Sequence, residues 1–189
     1  MKSFKQYILE MPVITKQSAR YDDRDYPAPP MHIGSVGAYK IIHTPDEDFA
    51  DTSSTGIFHI MHNKKRVGYI PYEHDGANTL HMQGPNLMRT HRGKKAKTKN
   101  LMPKIYGLIS DKMKKKIQSD TLQSIGGASI WRRLAGMRKV TVKHFNRDEL
   151  PKYRIKGRYI PDQHEKIVYD RTHGHDYALV LHPRRGKKK

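Results

Sequence analysis

The sequence predicts a mixed α/β (α+β) domain, and three observations predict it. Short apolar segments of strand length recur between clusters of Gly, Pro, Asn and Asp. Two segments repeat their apolar residues at helical spacing or close on a glycine. The order along the chain is four strands, a helix, a strand, a second helix and strands to the end.

Each element has its own signal. Val36 to Ile42 (VGAYKII) is a short apolar strand, followed by a polar and acidic loop over 44–55. Gly56 to Asn63 (GIFHIMHN) and Val67 to Tyr72 (VGYIPY) flank Asn63-Lys64-Lys65-Arg66 and form the two arms of a hairpin. Thr79 to Met88 is a fourth strand, and Gly84-Pro85 inside it predicts a bulge or an edge position. Leu101, Ile105, Leu108 and Ile109 share one helical face between Leu101 and Met113, with Asn100 as N-cap and Pro103 tolerated in the first turn. Lys116 to Asp120 is a short strand. Ala128 to Leu134 is a helix closed by Gly136, and Met137 to Phe145 alternates as a strand. Tyr153 to Ile160 and Tyr177 to Leu181 are the last strand candidates.

The 189 residues suit one medium domain with tails. The divisions are an amphipathic peptide over 1–10, a Pro-rich linker or extended arm over 11–35, the domain over 36–181 and a basic tail over 182–189. No apolar run approaches the roughly 18 residues of a membrane span, and Tyr7-Ile8-Leu9 is too short for a secretory signal, so no membrane partner is expected. The absence of Cys excludes disulfides and thiolate metal sites. No metal is expected from the histidines either. His59 and His62 fall on opposite faces of a strand, and His173-Gly174-His175-Asp176 reads as a polar turn.

A net charge of +19 is too one-sided for a merely solubilising surface. It points to nucleic acid or another polyanion, held through the phosphate backbone rather than by base readout. The candidate phosphate-binding residues are Arg89, Arg92, Lys94, Lys95, Lys97, Lys99, Lys114, Lys115, Arg132, Arg133, Arg184 and Arg185.

Two segments carry a resemblance to a family. Arg92-Gly93-Lys94 stands before a helix, and Ser119-Asp120 is followed by Gly126-Gly127 and Trp131. Over roughly Val36 to Leu181 the chain resembles a GNAT N-acetyltransferase domain, particularly phage-encoded members. The resemblance implies a mixed, mostly antiparallel sheet flanked by helices. It also implies an acetyl-CoA site at Arg92, Gly93, Lys94, Lys95, Ala96 and Lys97, where backbone N–H groups at a helix N-terminus would hold the pyrophosphate. Lys95 and Lys97 occupy positions that are small in the family's pattern; they keep charge near the phosphates but obstruct close backbone approach. The family's chemistry needs a base for the amine and an acid for the thiolate. Glu73 is the candidate base. Trp131 stands where the family often has a tyrosine, and it and Tyr106 read as packing residues.

The N-terminal MKSFKQYILE has a separate resemblance, carried by Met1, Lys2, Phe4, Tyr7, Ile8 and Glu10. It looks like the capsid-targeting peptide of internal head proteins in large tailed phages, which is cut after Ile/Leu-x-Glu. The resemblance implies cleavage between Glu10 and Met11, two residues after Ile8. Of the glutamates at 10, 47, 73, 149 and 165, only Glu10 has Ile or Leu two places before it. Capsid or scaffold proteins are then expected partners. The expected locations are the virion interior and the host cytoplasm. Three functions follow: a DNA-associated virion protein with a GNAT-like domain, a working N-acetyltransferase acting on a host protein or small amine, and a non-catalytic binder of a host protein.

Overall fold

The computed structural model describes residues 30–45, 54–74, 78–92, 98–120, 124–145, 157–168 and 177–184. They form an α+β fold around one mostly antiparallel sheet. In chain order the elements are β1 (Met31–Val36), β2 (Tyr39–Pro45), β3 (Ser54–His62), β4 (Lys65–His74), β5 (Thr79–Met82), β6 (Asn86–Leu87), α1 (Leu101–Met113), β7 (Lys116–Gln118), α2 (Ile125–Met137), β8 (Val140–His144), α3 (Pro161–Val168) and β9 (Tyr177–Leu181). The sheet order is β1-β2-β3-β4-β5-β7-β9-β8, with β6 set beside β4.

The first four strands form a meander. The segment expected as one strand from Val36 to Ile42 is two strands, because Gly37-Ala38 turns the chain between them. Gly37 has φ 58°, a conformation open to glycine at no steric cost. The first strand also begins at Met31, inside the stretch read as an arm up to residue 35. Asn63 (φ 51°) and Lys64 (φ 61°) alone make the β3–β4 turn, so Lys65 and Arg66 belong to β4. Positive φ at both central residues matches the twist of a two-residue hairpin.

The expected strand from Thr79 to Met88 divides into β5 and β6 around Gln83-Gly84-Pro85. A Cβ on Gly68 would meet the Asn86 carbonyl oxygen at 2.5 Å, so the absence of a side chain there lets β6 lie against β4.

α1 has the predicted bounds, and Pro103 sits in its first turn, where its missing N–H has no intrahelical partner to lose. Asn100 is not a side-chain cap, however. It is left-handed (φ 58°, ψ 42°), and its Oδ1 accepts from Arg133 Nη1 at 3.2 Å. α2 is longer than expected at both ends. Ser124 caps it, its Oγ accepting from Gly127 N at 3.1 Å, and Gly136 lies inside the helix rather than closing it. Met137 therefore ends a helix instead of opening a strand. Of the expected strand Tyr153 to Ile160, the described residues 157–160 contribute only an isolated bridge from Arg158 to Thr141. α3, unexpected from the sequence, follows at once.

Residues in register across neighbouring strands share a face. Ile41, Ile60, Ile70, Leu80, Ile117, Leu179 and Val140 lie on one side and pack with Leu101, Ile105 and Ile109 of α1 and Trp131 and Leu134 of α2. Trp131 is buried edge-on to Tyr106, ring centroids 6.1 Å apart, so both are core residues. β9 is buried along its whole length between β7 and β8.

Candidate functional site

The site grows from the one parallel pair of strands among the described residues. β5 and β7 align Thr79 with Lys116, Leu80 with Ile117 and His81 with Gln118. Beyond that last pair the two chains take different partners. Gln83 N donates to Pro71 O (3.0 Å) and Met88 N to Val67 O (2.8 Å), which keeps this chain on β4. Ser119 N donates to Leu179 O (2.8 Å), and Leu179 N donates to Ser119 Oγ (2.9 Å), which keeps the other chain on β9. The parallel strands therefore part after His81 and Gln118.

Polar side chains gather at this parting, on the face away from α1 and α2. Lys143 Nζ on β8 donates to Gln118 Oε1 (3.0 Å), and Gln118 Nε2 lies 3.0 Å from His81 Nδ1. Glu73 is in register with His81 and accepts from Gln83 Nε2 at 2.6 Å. Glu73, the expected base, is thus exposed and one strand from the parting. His81, Gln118 and Lys143 were not singled out by sequence reasoning. The pattern held a weak signal, polar residues at alternate positions in otherwise apolar strands.

The expected acetyl-CoA residues are mostly out of view. Arg92 is exposed at the end of a 3-10 turn over Arg89–His91, and its Nε donates to Leu87 O. Gly93, Lys94, Lys95, Ala96 and Lys97 lie outside the described residues, as do Ile8, Glu10, Met11 and Arg185. Arg89, Lys99, Lys114, Arg132 and Arg133 are exposed. Lys115 is instead half-buried, with its Nζ against His74 Nε2. Arg184 is exposed at its side chain, and its backbone N donates to Asp111 Oδ1 (2.8 Å).

Arg138, which sequence reasoning did not single out, is a structural cation. Its side chain is 6% exposed and forms a forked pair with Asp111, Nη1 to Oδ2 at 2.9 Å. Nη1 also donates to Gly107 O at 2.9 Å. Burial pushes the Asp111 carboxyl up, but the Arg138 bonds, the Arg184 N–H and both positive charges outweigh it and hold the group below its ordinary range. α1 and α2 contain no other carboxylate, so the outward charges of this layer, Lys104, Lys112, Arg132 and Arg133, are all positive.

A second polar cluster lies in the meander. His43 Nε2 and Tyr72 Oη are 2.6 Å apart, and His43 stacks on Phe58 at 4.8 Å between ring centroids. Burial, with the nearby charge of His59, lowers the His43 pKa to about 4, and burial raises that of Tyr72 to about 12. His59 and His62 do point to opposite faces, being in register with Ile42 and Tyr39 respectively. Among the described residues no group of three or more His, Asp or Glu is placed to hold a metal ion, and no helix is long and apolar enough to cross a membrane. No family model, curated protein or solved structure matches the chain.

Proposed function

We propose that this chain is a basic phage head protein with a GNAT-like domain, associated with nucleic acid and delivered into the host with it. The observation that carries the reading is the one-signed helix layer. Its only carboxylate, Asp111, is taken up by Arg138, and the exposed charges it presents, Lys104, Lys112, Arg132 and Arg133, are all positive. Such a surface attracts phosphate by counterion release, without regard to sequence and with strong salt dependence. The cassette ending at Glu10 supplies the address and the cleavage site. Mass spectrometry of purified virions tests the reading. A chain beginning at Met11 is expected; absence from the virion, or a chain still beginning at Met1, defeats it.

A second reading, acyl-CoA-dependent N-acetyl transfer, is favoured by the parting of β5 and β7. Two parallel strands that separate offer backbone edges on either side of an opening. The pantetheine arm of acetyl-CoA, an extended chain with two amides, suits such edges as an added strand does. The opening precedes a basic connection into the N-terminus of α1, a favourable place for phosphates. Host proteins or small amines are the acceptors this reading implies. Acetyl-CoA titration followed by calorimetry and by thermal shift tests it; no heat and no shift would remove it.

A further inference from the structure

The two faces of the sheet differ in cover but agree in charge. α1 and α2 pack on one face, and their outward charges are Lys104, Lys112, Arg132 and Arg133. On the other face β7, β9 and β8 bring a second set of cations together. Ile117 and Val140 are both in register with Leu181, and His182 N donates to Lys139 O at 3.1 Å. The residues one step along, Lys116, His182 and Lys139, therefore form a row across three adjacent strands, on the side opposite these buried apolar residues. Neighbouring strands lie about 4.8 Å apart, so the row is about 10 Å long at the backbone.

Side-chain contacts fix the face. His182 Nε2 lies 2.8 Å from Thr141 Oγ1, and Lys143 Nζ donates to Gln118 Oε1. Thr141 in turn is bridged to Arg158, which adds a cation beyond β8. Lys116, Lys139, Lys143 and Arg158 are exposed, and His182 is half-buried. Among the described residues, none of Lys116, Lys139 and Arg158 has a carboxylate partner. Glu73 stands two strands from β7 and accepts from Gln83, and Asp120 is four residues along from Lys116. Like charges set side by side on neighbouring strands repel. The repulsion registers at His182, where burial first, then the charges of Lys139 and Lys116, hold the ring below its ordinary value.

We infer that the outer sheet face is a second phosphate-binding surface, and that one chain holds two nucleic-acid segments at once, one on each face. The choice of nucleic acid as the polyanion rests on the nucleic-acid reading; the second cationic face does not. A row of cations with no acid among them is relieved by phosphate oxygens, and the bound cations displace counterions from the nucleic acid. A sheet and a helix layer, on the order of 20 Å together, separate the two surfaces. A short straight duplex lies against one face or the other, so occupation of both joins two duplexes. Single chains can then condense nucleic acid without associating with one another.

The test uses the full chain at low salt with two populations of a duplex of about 15 base pairs, one carrying a donor dye and the other an acceptor. Energy transfer between them is expected, in a complex that sedimentation shows to hold one chain and two duplexes. One duplex per chain with no transfer overturns the inference and leaves the nucleic-acid reading standing; no binding at all defeats both. A transferring complex that holds two chains also overturns the inference. Lys116→Gln, Lys139→Gln and Arg158→Gln together should abolish transfer and leave one duplex bound. Lys104→Gln, Lys112→Gln, Arg132→Gln and Arg133→Gln together should do the same. Transfer that survives either set, or loss of all binding in either, overturns the pairing of these two faces. Circular dichroism shows whether each set folds. If one does not, the His182 ring of the unaltered protein still decides, through its NMR titration with and without saturating duplex. Phosphate beside Lys116 and Lys139 favours the charged ring, so the midpoint should rise on binding. An unmoved midpoint means that the outer face is empty and overturns the inference.

Discussion

The two halves of the sheet are built on different rules. From β1 to β4 every strand pairs with its neighbour in the chain. From β5 to β9 only β8 and β9 pair as neighbours in the chain: β5 lies beside β7, and β9 enters between β7 and β8. Two-residue turns, Gly37-Ala38 and Asn63-Lys64, join β1 to β2 and β3 to β4 directly. The second half is joined by polar ties between distant segments, Lys143 to Gln118, Gln118 to His81 and Ser119 to Leu179.

The sharpest way to break this contrast is at Arg138. Arg138→Ala should lower stability to urea by about 3 kcal/mol, because it strips Asp111 of its forked partner, leaving only the Arg184 N–H, and takes from the Gly107 carbonyl its side-chain donor. Lys139→Ala, beside it and exposed, should cost within about 0.5 kcal/mol. Equal effects would mean that the pair does not anchor the second half.

The meander has its own sensitivity, to acid. The folded pKa of His43 is about 4, below its ordinary 6.5, so the unfolded chain binds the extra proton between these values. Its contribution is fully present above about pH 6.5 and is lost as the pH falls through about 4. After allowance for solvent screening, the change is on the order of 2 kcal/mol. Comparing urea midpoints at pH 7 and pH 4.5 checks it, and His43→Leu should flatten the difference. An unflattened profile would place the acid sensitivity elsewhere.

A smaller effect is expected at Ser119. Ser119→Ala removes the Oγ that accepts from Leu179 N and leaves a buried donor unsatisfied, about 1–2 kcal/mol. Hydrogen exchange should report faster opening at the Leu179 amide while amides of β2 and β3 keep their rates. Uniform acceleration would mean the halves open as one unit.

The smallest effect on stability is expected on the helix surface. Arg132→Ala and Arg133→Ala should each change stability by less than about 0.5 kcal/mol. Each should still lower the magnitude of the slope of log affinity for DNA against log salt by about 1. Unchanged slopes would remove these residues from the proposed nucleic-acid surface.

The sequence by itself determined the local parts: the hairpin of β3 and β4, the positions of α1 and α2 along the chain, the core roles of Trp131 and Tyr106 and the strong positive charge. These follow from turn chemistry and apolar spacing, which act over a few residues. It placed helix ends less well. The Ser124 cap lies outside the segment whose apolar spacing marked α2, and Gly136 reads as a stop when it is only an exposed helical residue. Tertiary structure alone decided that Arg138 is buried while Arg132 and Arg133 are exposed, since all three sit in one basic stretch. It also decided the parting of β5 and β7 and the joining of Lys143, Gln118 and His81. Gln118 is 37 residues from His81 and 25 from Lys143. Over such distances the partner of a polar side chain is set by which strands the packed core brings side by side, and no local pattern records that choice.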